Sequence, residues 1–276
     1  MLREALQAVR EKHPLVHNIT NYVTVNDVAN VLLAAGASPI MSDDEEEVED
    51  ITSLCGGLVL NIGTLNHRTI PSMLKAGKKA KKLGHPVVLD PVGAGASPLR
   101  TETALQIIEE VQPTVIRGNI SEIKALALGG NSTQGVDADL ADAVTEENIG
   151  NVVKFAKDYA RKTEAILAIT GAIDLITDGK TAYSCRNGNP MMSTITGTGC
   201  QLTALVAAYL VANPDHALEA VTTAVCSMGV CGELAKERLG EVGGNASYRT
   251  GIIDAIFHLT GEALEKRAKL QEEEAE

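Results

Sequence analysis

Aromatic and basic residues are both scarce in this 276-residue chain. Tryptophan is absent and aromatics make up 3% of the sequence, so aliphatic side chains must fill the core and few rings are available to stack on bases. The formal net charge is −12, and the lysines and arginines are scattered rather than clustered. Nucleic acid and anionic membranes are therefore poor electrostatic partners, and any contact with phosphate must be local.

The sequence also lacks the cysteine spacings of a disulfide framework or a zinc site. Its cysteines are odd in number and form no CxxC arrangement. We therefore expect a reducing compartment. The five cysteines are Cys55, Cys185, Cys200, Cys226 and Cys231.

A membrane span and an export signal are missing as well. The most apolar stretch, Leu202 to Ala212, is shorter than the roughly 20 residues that cross a bilayer. Met1 to Pro14 has the pattern of an amphipathic helix of mixed charge, without the basic start, apolar run and cleavage site of a signal peptide. The sequence thus predicts a soluble cytoplasmic protein, with neither nucleic acid nor a membrane as partner.

What the chain does contain is an alternation of strand and helix patterns along most of its length. With 45% hydrophobic residues it can bury a large core, and we predict one domain over residues 1–270. The polar segment Asn131 to Ala141 is predicted to be a surface loop, and the acidic tail, residues 271–276, is expected to fray.

Six short apolar runs are strand candidates, and several are apolar at consecutive positions, as in parallel strands covered by helices on both faces. Asp178-Gly179-Lys180 joins two further runs as a hairpin, which predicts an antiparallel edge. The fold class is therefore α/β, a three-layer α/β/α sandwich with a mostly parallel sheet. The candidate strands are Leu15 to Ile19, Ser38 to Met41, Leu58 to Ile62, Pro86 to Leu89, Thr114 to Ile116 and Ala165 to Ile169, and the helices between them include Val28 to Ala35, Arg68 to Leu83 and Glu102 to Val111.

Two glycines in three residues precede an apolar helical run, in Thr196-Gly197-Thr198-Gly199-Cys200. Free backbone N–H groups at a helix start, with the helix dipole, can surround phosphate oxygens, so the turn is a candidate anion hole although it lacks the lysine of a P-loop. The alternative is an ordinary tight turn that opens a helix.

Cys200 falls in the first turn of that helix, where the dipole favours the thiolate over an ordinary pKa of about 8.5. It is thus a candidate base. The alternative is a small buried apolar residue, which is the usual role of a free cysteine.

Polar side chains follow two further strand candidates. Asp90 comes directly after one, and Arg117, Asn119 and Glu122 follow the next. Ligands bind at the carboxyl edge of open α/β sheets, so the two carboxylates can hold a hydrated Mg²⁺ against ATP. The alternative is that Asp90 and Asn119 cap helices and that Glu122 completes a capping box.

Two weaker signals lie at other strand ends. Thr170, followed by Gly171, supplies a hydroxyl and a position of close approach where a nucleotide phosphate can lie. The segment His17 to Val23 carries many hydrogen-bonding side chains, as a small polar ligand requires. Capping by Asn and Thr explains this second segment nearly as well.

Seven motifs, taken in order, resemble the hydroxyethylthiazole kinase family over nearly the whole chain: HNITNYVTVND, GASPIM, LVLNIGTL, VVLDPVGAGASPLRTE, VIRGNISEI, AITGAIDLITDG and TGTGCQLTAL. The resemblance implies a ribokinase-like fold, Mg·ATP as donor and a homotrimer with substrate sites between subunits. It implies 4-methyl-5-(2-hydroxyethyl)thiazole as acceptor, phosphorylated on its primary hydroxyl for thiamine biosynthesis.

The resemblance also implies residue roles. Asn21, Val23, Met41 and Gly63 line the thiazole site, with the Met41 N–H and Gly197 touching the substrate. Arg117, Thr170 and Asn119 contact ATP, Asp90 and Glu122 organise Mg²⁺, Gly197, Thr198 and Gly199 form the anion hole with Cys200, and Cys200 occupies the position of the catalytic base.

Cysteine at position 200 departs from related superfamily kinases, which carry aspartate there. Phosphoryl transfer has a loose transition state, so early deprotonation of the alcohol is not required. A thiolate would repel the incoming phosphate, and we therefore expect Cys200 to stay mostly a thiol until the substrates are in place. Tyr22 replaces a residue that is often smaller in relatives, and it either reshapes the thiazole pocket or faces outward.

Three other functions compete with this interpretation. A hydroxymethylpyrimidine kinase of the same fold is disfavoured by Cys200. An ATP-dependent hydrate dehydratase needs more basic and aromatic contacts for its larger substrate than this chain offers. A non-catalytic nucleotide sensor is disfavoured because Asp90, Arg117, Glu122 and the TGTGC turn are all present.

Overall fold

The computed structural model describes residues 1–129 and 143–274. The predicted loop from Asn131 to Ala141 lies outside them. Within these residues nine strands form one sheet: β1 (Leu15–Ile19), β2 (Ser38–Met41), β3 (Gly57–Asn61), β4 (Val87–Asp90), β5 (Val115–Asn119), β6 (Ile166–Thr170), β7 (Asp174–Thr177), β8 (Ala182–Cys185) and β9 (Leu270–Glu272). The helices are α1 (Leu2–Lys12), α2 (Val25–Ala35), α3 (Val48–Leu54), α4 (Thr69–Leu83), α5 (Pro98–Val111), α6 (Ile120–Gly129), α7 (Ile149–Thr163), α8 (Thr198–Ala212), α9 (Ala217–Arg238), α10 (Asn245–His258) and α11 (Gly261–Arg267), with a 3₁₀ turn at Pro190–Thr194.

The strand order is β2-β1-β3-β4-β5-β6-β7-β8-β9. The first six strands in this order are parallel, and the last three pair antiparallel. The chain passes from β1 to one neighbour, β2, and then to the other, β3. The sheet therefore has a topological switch point at β1, the position where open α/β sheets bind ligands.

Both faces of the sheet are covered, which explains the consecutive apolar positions of its strands. Along β3, Val59 belongs to a core beneath α1, α2 and α8 to α11, whereas Leu58 and Leu60 belong to a second core beneath α3 to α7. This alternation is the normal two-residue period of a strand. The predicted three-layer α/β/α sandwich is confirmed.

The predicted elements agree closely with the observed ones. Leu15 to Ile19 and Ser38 to Met41 match β1 and β2 residue for residue, and the antiparallel hairpin is present as β7 and β8. The strand predicted to end at Ile116 instead continues to Asn119, because its polar residues still pair with β6.

The expectation that the acidic tail frays is wrong for its first residues. Gln271 and Glu272 pair with β8 in the edge strand β9. Glu273 continues the pairing by donating its N–H to the Ala182 carbonyl at 2.8 Å, and its carboxylate lies 3.5 Å from the Arg186 guanidinium. Backbone pairing and this ion pair outweigh the polar composition that suggested disorder.

The helix α9 is long and apolar enough to cross a membrane by length and composition alone, but 78% of its apolar window is buried inside the fold. It packs against α8 and α10 in the first core. Its composition is accounted for by burial in the protein.

Candidate active site

Four parallel strands end in polar residues at one edge of the sheet. Asn61, Asp90, Asn119 and Thr170 are the last residues of β3, β4, β5 and β6. Asn61 is in register with Asp90, and Asn119 is in register with Thr170. Because parallel strands share a direction, the sequence order of strand and polar residue is enough to bring these side chains to the same edge.

The predicted anion-binding turn opens α8 at this edge. Gly197 precedes the helix with φ of 94°, and a Cβ there would lie 2.7 Å from Cγ2 of Thr24. A residue with a side chain would therefore be both strained and overlapping. The N–H groups of Thr198, Gly199 and Cys200 belong to the first helical turn, where they have no carbonyl partner within the helix.

Arg117 joins the start of α8 to the strand ends. A Cβ on Gly199 would lie 2.7 Å from its Nη2, so the guanidinium lies directly against that glycine. Nη2 donates to Oγ1 of Thr170 at 2.6 Å, and Nη1 lies 3.5 Å from Oδ2 of Asp90. Its Nε is buried and has no hydrogen-bond partner among the described residues. The predicted grouping of Arg117 and Thr170 is thus present.

Asp90 is fully buried and uses its two oxygens differently. Oδ2 accepts from Nδ2 of Asn61 at 2.9 Å and from Oγ1 of Thr203 at 2.8 Å, besides the contact with Arg117. Oδ1 is buried without a hydrogen-bond partner among the described residues. Burial raises the pKa of Asp90, while the Arg117 charge and the Thr203 hydrogen bond oppose that shift.

Glu122 and Asn119 form the capping box that the sequence offered as an alternative. Oδ1 of Asn119 accepts the Glu122 N–H at 2.8 Å, and Oε2 of Glu122 accepts the Asn119 N–H at 2.9 Å. Oε1 of Glu122 accepts the N–H of Gly93 at 2.8 Å. The same alternative fails for Asp90, whose hydrogen-bond donors are side chains.

The donor set suits a magnesium ion. Among the described residues, no group of three or more His, Cys, Asp or Glu side chains could hold a metal by itself. Mg²⁺ takes most of its ligands from water and substrate phosphates and needs only one or two carboxylates. The orphaned Oδ1 of Asp90 fits that requirement. Glu122 lies close enough for its charge to raise the pKa of Asp90, but both of its oxygens also accept backbone N–H groups.

Cys200 meets Asn21 on the other side of the anion-binding turn. Nδ2 of Asn21 donates to Sγ of Cys200 at 3.2 Å. Burial and the charge of Asp90 raise the pKa of Cys200, against opposing hydrogen bonds from Thr24, Asn61 and Asn21. The expectation that the helix dipole lowers the pKa of Cys200 is therefore wrong for the protein without ligands. The raised pKa agrees with a resting thiol. All five cysteines are free, and Cys200 is the one that is not fully buried.

The remaining residues predicted to line the thiazole site differ in their placement. Gly63 lies against Asn21, since a Cβ on the glycine would lie 2.9 Å from the Asn21 Cβ. Met41 is half-buried at the end of β2. Val23 and Tyr22 point outward, with 60% and 77% of their surfaces exposed. Within a single chain Tyr22 therefore faces outward.

A cavity of about 670 Å³ is lined by the residues predicted to contact ATP. Asp174 also lines it and accepts the Gly171 N–H at 2.9 Å, while desolvation raises the pKa of its carboxyl to about 7. The predicted residues in its wall are Arg117, Asn119, Thr170, Thr198 and Gly199, and its apolar wall includes Leu202, Val225 and Met228.

Sequence reasoning missed Asn61, Thr203 and Thr24. The available signal for Asn61 was a lone amide at the end of an otherwise apolar run, which was included in the predicted strand without a role. Thr203 gave no signal, since a threonine inside an apolar helix ordinarily bonds to its own helix, as Thr203 also does with the Gly199 carbonyl at 3.1 Å.

Comparison with known proteins gives a consistent result. The model of the hydroxyethylthiazole kinase family matches residues 6–262. The chain is 62% identical over 271 residues to a hydroxyethylthiazole kinase of Clostridium acetobutylicum, covering 98% of this chain and 99% of that protein. A solved hydroxyethylthiazole kinase structure from Pyrococcus horikoshii is similar with a TM-score of 0.88 at 37% identity, covering 99% of each chain.

A ribokinase-like superfamily protein from Enterococcus faecalis is similar with a TM-score of 0.59 at 12% identity, covering 88% of this chain and 86% of that one. At that identity the similarity concerns the fold alone. It confirms the ribokinase-like prediction.

Proposed function

We propose that this chain, which belongs to the hydroxyethylthiazole kinase family, catalyses the ATP-dependent phosphorylation of the primary hydroxyl of 4-methyl-5-(2-hydroxyethyl)thiazole. The observation that supports the proposal is that the start of α8 contacts two groups. Cys200 accepts a hydrogen bond from Asn21, and Gly199 lies against Arg117, which donates to Thr170.

ATP binds in the cavity lined by Arg117, Asn119 and Thr170. Its γ-phosphate lies at the start of α8, where the N–H groups of Thr198 and Gly199 donate to the phosphate oxygens and the helix dipole favours their charge. Asp90 and Glu122 would hold Mg²⁺, which would neutralise charge on the phosphates. Because the transition state is loose, this positioning and neutralisation supply most of the catalysis.

The acceptor binds between Asn21, Gly63, Met41 and Val23, with its hydroxyl beside Cys200. In the resting site, burial and the Asp90 charge keep Cys200 as a thiol. Once the complete complex has assembled, the Cys200 thiol releases its proton to solvent. The resulting thiolate accepts the hydroxyl proton as the acceptor oxygen bonds to the γ-phosphorus, while the bond from that phosphorus to the ADP oxygen breaks and ADP leaves. A base of modest strength is adequate for such a reaction.

The test is ADP release from the purified protein with Mg·ATP, with and without hydroxyethylthiazole, for the wild type and Cys200→Ala. We expect thiazole-dependent release that falls sharply in the variant. Release that is equal with hydroxymethylpyrimidine, or independent of any acceptor, would overturn the acceptor assignment. Unchanged turnover of Cys200→Ala would remove Cys200 as the base and leave the kinase activity standing.

Family membership further supports a cytoplasmic enzyme of thiamine biosynthesis that assembles as a homotrimer with substrate sites between subunits. The exposed Tyr22 and Val23, directly after Asn21, provide a surface that a neighbouring subunit would cover. Analytical ultracentrifugation should give three times the 29.0 kDa chain mass. A monomer that turns over at the full rate would refute shared sites.

A further inference from the structure

The side chain of Asn61 is fully engaged in hydrogen bonds at the centre of the site. It is 2% exposed at the end of β3. Its Nδ2 donates to Oδ2 of Asp90 at 2.9 Å. Its Oδ1 accepts from Nδ2 of Asn21 at 3.0 Å and from the N–H of Gly63 at 2.9 Å. One amide thus links the proposed metal side to the proposed acceptor side.

The direction of these hydrogen bonds follows from chemistry. An ionised carboxylate only accepts, so Asn61 must present its NH₂ group to Asp90 and its oxygen to the opposite side. That oxygen in turn requires the NH₂ group of Asn21. The Asn21 orientation is reinforced by Thr24, whose N–H and hydroxyl both donate to Oδ1 of Asn21 at 3.0 Å. The charge of Asp90, acting through Asn61, and the Thr24 N–H therefore both favour the orientation in which an N–H of Asn21, rather than its oxygen, faces Sγ of Cys200.

Asn61 also helps to fix the plane of the Asp90 carboxylate. Together with Thr203 and Arg117 it occupies Oδ2, and Oδ1 is left without a partner among the described residues. A rotation of the carboxylate plane that moved the free oxygen elsewhere would break these hydrogen bonds. The rotamer of Asp90 is thus held from the acceptor side of the site as well as from α8.

We infer that Asn61 is a positioning residue for the transfer: it holds Oδ1 of Asp90 toward the metal site and the N–H of Asn21 toward Cys200, so that the two halves of the reaction keep one relative placement. The inference rests on the proposed roles of Asp90 and Cys200. Asn61 acts through its neighbours and has no part in bond making. A buried amide with a purely structural role would contribute only to the stability of the protein. A positioning residue also affects Cys200 reactivity and metal binding, so the two roles predict different results.

The test compares Asn61→Leu, which keeps the volume and removes both hydrogen-bonding groups, with Thr203→Val. Thr203→Val removes another donor to Asp90 and leaves the Asn61 to Asn21 link intact. The first measurement is alkylation of Cys200 by iodoacetamide in the protein without ligands, followed by mass spectrometry across pH. The second is Mn²⁺ binding to the protein with ATP, followed by electron paramagnetic resonance. Kinetic constants and thermal unfolding are recorded for each variant.

For Asn61→Leu we expect the pH midpoint of Cys200 alkylation to rise, because the sulfur loses both the hydrogen bond of Asn61 and the fixed orientation of the Asn21 donor. The rate at pH 8 should fall about threefold to tenfold, the size of one net hydrogen bond. We expect Mn²⁺ to bind about tenfold more weakly, as when an outer partner of a ligand is removed. The kcat for the thiazole should fall more than its KM rises. In Thr203→Val, Mn²⁺ binding should weaken while the alkylation midpoint stays at the wild-type value.

An Asn61→Leu protein with lower stability but unchanged alkylation and Mn²⁺ binding would overturn the inference, and so would equal alkylation shifts in both variants. Should Asn61→Leu fail to fold, Asn61→Ser is small enough to be accommodated and has the same expected shifts. The results for these variants do not test the proposed function, which is tested by thiazole-dependent ADP release from the wild type.

Discussion

Nδ2 of Asn21 and Sγ of Cys200 lie 3.2 Å apart, although 179 positions separate the two residues in the chain. The contact joins the segment after β1 to the first turn of α8. It places an amide donor, a thiol and the free N–H groups of a helix start within one site.

Replacing Arg117 with lysine should lower kcat/KM for ATP by about 10- to 100-fold, since a hydrogen bond to a charged group is worth about 1.5–3 kcal/mol. Arg117 reaches Thr170 and Asp90 with two different nitrogens, and a single ammonium cannot do both. Steady-state kinetics with varied ATP check this. Arg68→Lys is the control, because Arg68 is a surface residue with a side chain 74% exposed. Equal losses in the two variants would contradict the role of Arg117.

Gly197→Ala should inactivate the enzyme, whereas Gly84→Ala should not. Both glycines have positive φ, 94° and 71°, so each substitution costs about 1–2 kcal/mol of backbone strain. A Cβ at Gly197 would also overlap Thr24, but at Gly84 no described atom lies within 4 Å. Thermal unfolding and turnover measure the two effects separately. Gly197→Ala with normal turnover would show that the turn geometry is not needed.

The stability of the protein should depend on pH through Asp174. Its carboxyl pKa is raised to about 7 by desolvation, from an ordinary value of 3.8. The folded state then holds a proton that the unfolded state has released, so stability falls as pH rises from about 4 to about 7 and stays lower above that. Asp174→Asn should remove this loss and be more stable than the wild type at pH 8. Urea unfolding without nucleotide at pH 5 and pH 8 is the measurement.

Asp178, exposed in the turn of the same hairpin, provides the control for Asp174. The advantage of Asp174→Asn over the wild type should be larger at pH 8 than at pH 5, and larger than the same difference for Asp178→Asn. A constant advantage at both pH values would argue that the carboxyl titrates normally.

His17 should make the protein acid-sensitive. It is fully buried, its Nε2 lies 3.0 Å from the Ser42 carbonyl and its Nδ1 lies 3.0 Å from the Thr52 hydroxyl. A carbonyl only accepts, so Nε2 carries the proton and neutral Nδ1 accepts from Thr52. Burial lowers the pKa of His17, so the unfolded state takes up a proton first as pH falls. The contribution of neutral His17 to the stability of the folded state is complete above about pH 6.5 and decreases below that pH.

The check is the urea midpoint of the wild type and His17→Gln between pH 8 and pH 5. The difference between the two midpoints should be constant above pH 7. Below pH 6.5 the midpoint of the wild type should fall relative to that of His17→Gln. A difference that does not vary with pH would mean that His17 is not responsible for acid sensitivity.

The strand ends show which parts of the site can be predicted from the sequence and which cannot. Asp90, Arg117 and Thr170 were predicted at the carboxyl edge from local patterns alone, because apolar strand runs are visible along the chain and parallel strands all end on the same side. The β9 pairing was missed, since Tyr183 and Glu272 are adjacent in the sheet but distant in the chain. An acidic segment looks disordered until its partner strand is known.

The sequence by itself determined the layered α/β fold, the turn that opens α8 and, through a family resemblance, the reaction. Only the tertiary structure decided that Oδ2 of Asp90 is shared by Asn61 and Thr203, which lie 29 and 113 positions away in the chain. It also decided the direction in which the pKa of Cys200 shifts, because burial and the charge of Asp90 raise it. Periodicity reports which face of an element is apolar, whereas hydrogen bonds and desolvation act over a few ångströms and depend on which distant elements become neighbours.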